Sequence, residues 1–291
     1  MIQRESKGGT VTTNRTTSRL STVMGIPDGS VFDLSQPLFQ GMPCSPNQPG
    51  FRMALTRRHG DYRRSDGTSG SSEMIITGGH VGTHMDALCH ASADGLMHGG
   101  VVAEEAQRGG RFSELGIDTV PPLIGKGILF DLPGAMDLDH LPAAFGIGVD
   151  ELVATARHFS LALDEVDFAL IRTGWARLFD DAEAYVGTES GVPGLSPDGA
   201  EWLSELGIVA TGSDTIAYER MEPGSGNRLM PVHRILLVER GIHIVELMNL
   251  EEVASEGVHE FGLILAPLRI IGGTGAPVRP VAWTMGSNGQ E

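Results

Sequence analysis

The chain has 291 residues, of which 41% are hydrophobic and 20% charged, and it carries a net charge of −16. That length and composition suit a globular protein with a sizeable core, and the negative charge disfavours nucleic acid and anionic membrane surfaces as partners. Two cysteines, Cys44 and Cys89, are too few for a disulfide framework, and no apolar run approaches the roughly 20 residues of a membrane span.

Residues 1–30 are rich in Ser, Thr, Gly and Arg and lack the apolar stretch of a secretory leader. They read as a flexible arm ahead of a domain spanning 31–291, with a cytoplasmic location as the default. Val31 to Leu34 reads as a first strand, followed by a turn-rich stretch from Gln36 to Gly50. Residues 57–73 are polar and Gly/Ser-rich, which predicts a long surface loop or lid. Glu73 to Thr77 is a strand that leads into the most informative segment of the chain. Beyond it, a helix is plausible from Gly99 to Leu115, and Lys126 to Asp131 has the composition of a buried strand. Asp150 to Arg157 has the apolar spacing of a helix, with Asp150 as its N-cap.

The second half repeats this rhythm. Val166 to Thr173 is a strand, and Ser196-Pro197-Asp198 opens a helix that runs through Trp202 to Leu206. Gly207 to Thr211 is a short strand. Pro231 opens a helix through His233 to Glu239, which Gly241 ends. Ile242 to Leu247 is a strand, and Phe261 to Ile271 supplies one or two more. Strands and helices in alternation with short connections predict a single α/β domain.

The central segment is His80-Val81-Gly82-Thr83-His84-Met85-Asp86-Ala87-Leu88-Cys89-His90. Three imidazoles and a carboxylate within eleven residues are all transition-metal ligand types, and nitrogen and oxygen donors suit zinc or manganese. A straight strand over this run would span about 33 Å at ~3.3 Å per residue, so the segment must bend to serve one centre. A helical turn would place His80 and His84 on one face, and Gly78, Gly79 and Gly82 permit sharp bending. Cys89 is read as a small buried residue. His59, His98, His140, His158, His243 and His259 are assigned structural or surface roles by default. Downstream, Glu246 lies in a strand whose two faces are both largely apolar, where a carboxylate calls for a cation or a proton. The reversal through Gly241 can return Glu246 towards His233.

The pattern His80-x-Gly82-Thr83-His84-x-Asp86-x-x-x-His90 resembles the signature of the cyclase-type metal-dependent hydrolases, the family of bacterial kynurenine formamidase and isatin hydrolase. The likeness extends over roughly residues 31–283. It includes Phe32 to Ser35 with Gly41 to Pro43, Ile171 to Trp175, Thr211 to Thr215, the segments starting at His233 and Gly241, and Pro267 to Arg279. The resemblance implies a swivelling-type α/β domain with a mixed β-sheet flanked by helices, usually a homodimer. It implies His80, His84 and Asp86 as ligands of a primary divalent ion, Mn2+ or Zn2+. It also implies His233 and Glu246 at the position of a second ion, and His90 as the catalytic histidine. The implied reaction is hydrolysis of an amide, lactam or related ester of a small molecule by metal-activated water. In it His90 acts as general base and then as acid towards the leaving nitrogen.

Kynurenine formamidases carry a proline two residues before the final histidine, where this chain has Leu88, and they are shorter, lacking part of 57–73 and of 91–150. The substrate therefore stays open. The 57–73 loop, Phe39, Phe51, Trp175 and His98 are candidates to line an aromatic pocket. A cyclase or dehydratase, or a lactone-acting enzyme, would use the same Lewis acid, and a coordinatively closed site would belong to a non-catalytic metal-binding protein.

Overall fold

The computed structural model describes residues 31–226 and 228–285; the expected N-terminal arm lies outside them. Fifteen strands are present among these residues. They are β1 (Val31–Asp33), β2 (Arg52–Arg57), β3 (Ser72–Ile76), β4 (His84–Asp86), β5 (Gln107–Arg108), β6 (Arg111–Phe112), β7 (Leu123–Asp131), β8 (Gly146–Ile147), β9 (Phe168–Arg172), β10 (Gly194–Leu195), β11 (Ala210–Ser213), β12 (His243–Glu246), β13 (Glu260–Leu265), β14 (Gly275–Pro277) and β15 (Val281–Thr284).

Nine of them form one mixed sheet in the order β1-β15-β13-β7-β9-β11-β12-β4-β14. Its centre, β7-β9-β11-β12, is parallel, and the strands added on either side are antiparallel. Parallel neighbours need crossovers. Helices Val149–His158, Pro197–Ser204 and the helical stretch from Pro231 to Arg240 lie between successive central strands. This is the α/β mixed sheet with flanking helices that the sequence predicts.

Burial follows the two-residue period of a strand. Ile128 and Phe130 of β7, with Ala169 and Ile171 of β9, join a core that includes Leu152, Leu203, Leu236 and Leu237 of the crossover helices. Leu129, Phe168, Leu170 and Val245 point the other way, into a second core with Met85, Phe261 and Ala276. Both faces of the central strands are covered, which explains their nearly continuous apolar sequence.

Several local expectations are corrected. The helix over 99–115 is absent. A single turn, Ala103–Ala106, is followed by the two-residue strands β5 and β6, which Gly109 and Gly110 join at φ +63° and +78°. Two consecutive left-handed residues cannot continue a right-handed helix. The helix expected to start at Asp150 is capped instead at Gly148, whose N–H donates to Glu151 Oε2 at 2.9 Å. The polar 57–73 stretch closes a β2–β3 hairpin, so the strand expected at 73–77 pairs with β2 rather than with the main sheet. Phe261 to Ile271 yields only β13, and the short strand expected over 207–211 is displaced to Ala210–Ser213. No membrane-length apolar helix occurs among the described residues.

Candidate metal and active site

The site lies at the carboxyl end of β12, beside the antiparallel strand β4, where open α/β sheets commonly bind ligands. His84 and Asp86 are two residues apart on β4, so both side chains leave the same face while Met85 enters the core between them. The register pairs Glu246 with His84 across the two strands. The expected helical turn from His80 to His84 is therefore corrected. Residues 80–83 make a turn through Gly82 (φ +68°), which folds the His80 ring back to 5.1 Å from that of His84. His90 returns from the far side of β4, with its ring 4.0 Å from His80. His233 arrives from the start of the Pro231 helix, whose remainder, Arg234–Arg240, is π-helical before Gly241 ends it. Such π-turns often mark functional sites.

These elements bring all six residues singled out in the sequence together around Asp86. Its Oδ1 lies 2.8 Å from His80 Nδ1 and 3.4 Å from His84 Nε2. Its Oδ2 lies 3.7 Å from His233 Nε2 and 4.0 Å from His90 Nε2. Glu246 places Oε2 3.4 Å from His84 Nε2 and Oε1 3.3 Å from His233 Nε2. Two compact groups with metal-ligand spacing result, His80–Asp86–His90 and Asp86–His233–Glu246, and Asp86 belongs to both. His84 stands between them, aimed at Asp86 and Glu246.

The donor set fits a cation. His84 Nδ1 donates to the Gly82 carbonyl at 2.8 Å, which leaves the Nε2 lone pair directed at the two carboxylates. His84 Nε2, Asp86 Oδ2 and Glu246 Oε1 are all buried without a hydrogen-bond partner, an arrangement costly for a protein unless a ligand satisfies it. Electrostatics point the same way. Burial disfavours the charged form of His84, yet Asp86 and Glu246 outweigh it and raise the pKa. In His233 burial is likewise outweighed, by Glu219 and Glu246 first, and the value is pushed up to about 10. Burial would raise Asp86, but the surrounding histidines hold it well below the usual carboxylate range. The carboxylates thus draw positive charge into the centre.

His90 behaves oppositely. Burial, together with the charges of His80, His233 and His84, lowers its pKa to about 4 against the pull of Asp86, so the ring is neutral at physiological pH. Cys89 is no ligand: it packs in the core, its Sγ faces the Gly273 carbonyl at 3.6 Å, and burial raises its pKa to about 11. Leu88, the departure from the formamidase pattern, packs against the helix-side core.

A cavity of ≈ 240 Å³ opens onto the centre, with Asn47, Gln48, Val81, Ile216 and Met230 among its walls. A second chamber of ≈ 330 Å³ shares Ser45, Asn47 and Ile216 with it. The aromatic candidates named from the sequence do not line either chamber. Phe51 and Trp175 are buried in a core cluster, Trp175 donating to the Tyr185 carbonyl at 2.8 Å. Phe39 packs edge-on against Phe179, and His98 is held by the Val238 carbonyl. Sequence reasoning missed Glu219, whose Oε1 accepts from His233 Nδ1 at 2.6 Å, and Thr274, whose hydroxyl lies 2.9 Å from His80 Nε2. No motif or periodicity marks Glu219, whereas Thr274 falls in the Pro267–Arg279 segment of the family likeness without being singled out there. His243 also supports the site, donating from Nδ1 to the Asp86 carbonyl at 2.8 Å.

Comparison with known proteins matches residues 32–220 to the family model described as "Putative cyclase". The chain is 30% identical to an isatin hydrolase of Roseibium aggregatum over 225 residues, covering 75% of this chain and 76% of the relative. It is also 30% identical to a kynurenine formamidase of Delftia acidovorans over 203 residues, covering 69% and 75%. A crystal structure of a novel cyclase superposes with a TM-score of 0.79 at 26% identity, over 91% of this chain and 90% of that one. The fold is shared as well with isatin hydrolase A from Ralstonia solanacearum, at a TM-score of 0.69 and 21% identity over 95% and 100% of the two chains. By the extent of the family match and by its relatives, this chain belongs to the cyclase family.

Proposed function

We propose that the protein is a metal-dependent hydrolase that cleaves an amide or lactam C–N bond of a small, aromatic molecule. In this reading His80, His84 and Asp86 hold a primary divalent ion, zinc or manganese. His233 and Glu246, sharing Asp86, hold a second. The observation that carries the reading is the convergence of two groups of metal-ligating residues on Asp86, where Asp86 Oδ2, His84 Nε2 and Glu246 Oε1 are buried without partners. The curated relatives, an isatin hydrolase and kynurenine formamidases, supply the bond type.

When bound, the ion would supply Lewis acidity and lower the pKa of a water towards ~7. The chain's own contribution is proton movement and placement. His90, kept neutral by burial, takes a proton from the attacking water and returns it to the leaving nitrogen as the C–N bond breaks. Val81, Ile216 and Met230 offer an apolar wall to the substrate, while Asn47 and Gln48 offer polar groups.

Two further features complete the proposal. Met53, Leu55, Met74, Ile75 and Ile76 are exposed on the β2–β3 hairpin, which pairs with no other strand among the described residues. This apolar surface suits a second copy of the chain and hence a homodimer. The two unpaired cysteines suit a reducing, cytoplasmic setting. The test is metal analysis with hydrolysis assays on isatin and N-formylkynurenine. The account expects bound divalent metal, and loss of both metal and turnover in His84→Ala. A purified protein without stoichiometric metal, or an unchanged His84→Ala variant, defeats it.

A further inference from the structure

Glu219 is 3% exposed and follows β11 on a loop that no motif singles out. Its carboxylate collects three donors. Oε1 accepts from His233 Nδ1 at 2.6 Å and from the His233 backbone N–H at 3.1 Å, and Oε2 accepts from the Val232 N–H at 3.3 Å. A carboxylate only accepts, so Nδ1 of His233 carries a hydrogen and Nε2 is the atom turned to the ligand cluster, where a cation can displace its proton. The outer nitrogen of His84 meets a neutral carbonyl, that of Gly82, and Nε2 of His80 meets the Thr274 hydroxyl. An anion dedicated to orientation is specific to His233 among these three.

The backbone around Glu219 is unusual in the same place. Tyr218 adopts φ +58°, a left-handed conformation rare for bulky residues. It is fully buried, with its hydroxyl bonded to Thr211 Oγ1 at 2.6 Å. Gly194 packs so closely that a Cβ there would lie 2.5 Å from the Tyr218 carbonyl oxygen. Leu247, next to Glu246, is left-handed as well, at φ +53°. The two carboxylates that hold the His233 ring between them thus each adjoin a strained, buried residue, the pattern expected where structure is kept for function.

We propose that Glu219 is a positioning residue that fixes the tautomer and orientation of His233 and thereby sets the affinity of the Asp86–His233–Glu246 group for a divalent ion. The group around His80 is independent of it. This inference rests on the metal reading above. Replacement by glutamine keeps the shape but turns one oxygen into an NH2, so either His233 or the Val232 N–H then faces a donor.

The test is zinc binding by the full chain at pH 7.5, in competition with a chromophoric chelator. It compares wild type, Glu219→Gln, Glu219→Asp, Gly194→Ala and His233→Ala, with the unfolding midpoint of each metal-free protein as a control for folding. The expected result is 10- to 100-fold weaker zinc binding at one site in Glu219→Gln, with the other site unchanged. Glu219→Asp should lie between wild type and Glu219→Gln, and Gly194→Ala should weaken the same site by displacing the loop. Two sites with wild-type affinity in Glu219→Gln overturn the inference alone, as does a single site indifferent to both Glu219→Gln and His233→Ala. A wild-type protein that binds no zinc overturns the metal reading and this inference with it.

Discussion

Asp214→Asn tests how the fold holds a buried carboxyl behind the site. Asp214 is fully buried, accepts the Thr173 backbone N–H at 2.9 Å and the Thr173 hydroxyl at 2.7 Å on Oδ1, and has no partner for Oδ2. Burial raises its pKa from 3.8 to about 6 despite the Thr173 hydrogen bonds and the nearby charge of Arg172. The folded state therefore binds more protons than the unfolded state between these values, and stability falls as pH rises from about 4 to 6. Two units at ~1.4 kcal/mol each give about 3 kcal/mol in full, of which roughly 1 kcal/mol falls between pH 5 and 7. Asparagine can keep both Thr173 contacts through its oxygen and does not titrate. Its NH2 would be an unpaired buried donor, a cost of about 1–3 kcal/mol that is the same at every pH. The diagnostic is thus the slope: urea unfolding of both proteins from pH 4 to 7.5 should show Asp214→Asn gaining on wild type as pH rises. A stability difference that is flat over that range, or that moves against the variant, refutes the reasoning.

Arg172 donates to Asp131 at 2.6 Å and in a two-point contact to Glu251 at 2.8 and 2.9 Å. Arg172→Ala leaves the buried Asp131 carboxylate without its cation and should cost about 3–5 kcal/mol by denaturant unfolding. His90→Ala should lower kcat by about 10²- to 10⁴-fold while metal content is retained; a parallel loss of metal would reassign His90 as a ligand. Ile75→Glu, on the exposed face of the β2–β3 hairpin, should shift the protein to a monomer in light scattering without changing its metal content. An unchanged mass would remove the hairpin from the interface.

The candidate site residues were legible in the sequence because their chemistry is concentrated: three histidines and an aspartate in eleven residues, and Glu246 in a largely apolar strand. The way they meet was not legible. Residue spacing alone favoured a helical turn, whereas β4 is fixed as a strand by its register with β12 and β14, partners far along the chain. Glu219 carries no local signal, since its value comes from His233 fourteen residues later and from a left-handed Tyr218 that no propensity foretells. The aromatic candidates failed for a different reason. Phe51 and Trp175 are large apolar groups that the core around Met42 and Tyr185 takes up before any cavity can. The alternation that predicts an α/β sheet survived these local errors because buried central strands impose it at every step. The helix at 99–115 did not survive, because Gly109 and Gly110 turn the chain.

Hydrolysis in ¹⁸O-labelled water by metal-loaded and chelator-stripped protein tests the central claim most directly. With N-formylkynurenine or isatin as the probe, the account predicts one ¹⁸O atom in the formate or carboxylate that the reaction creates, no turnover after stripping, and recovery on adding zinc or manganese. Turnover that survives stripping, or product formed without the label, would contradict it.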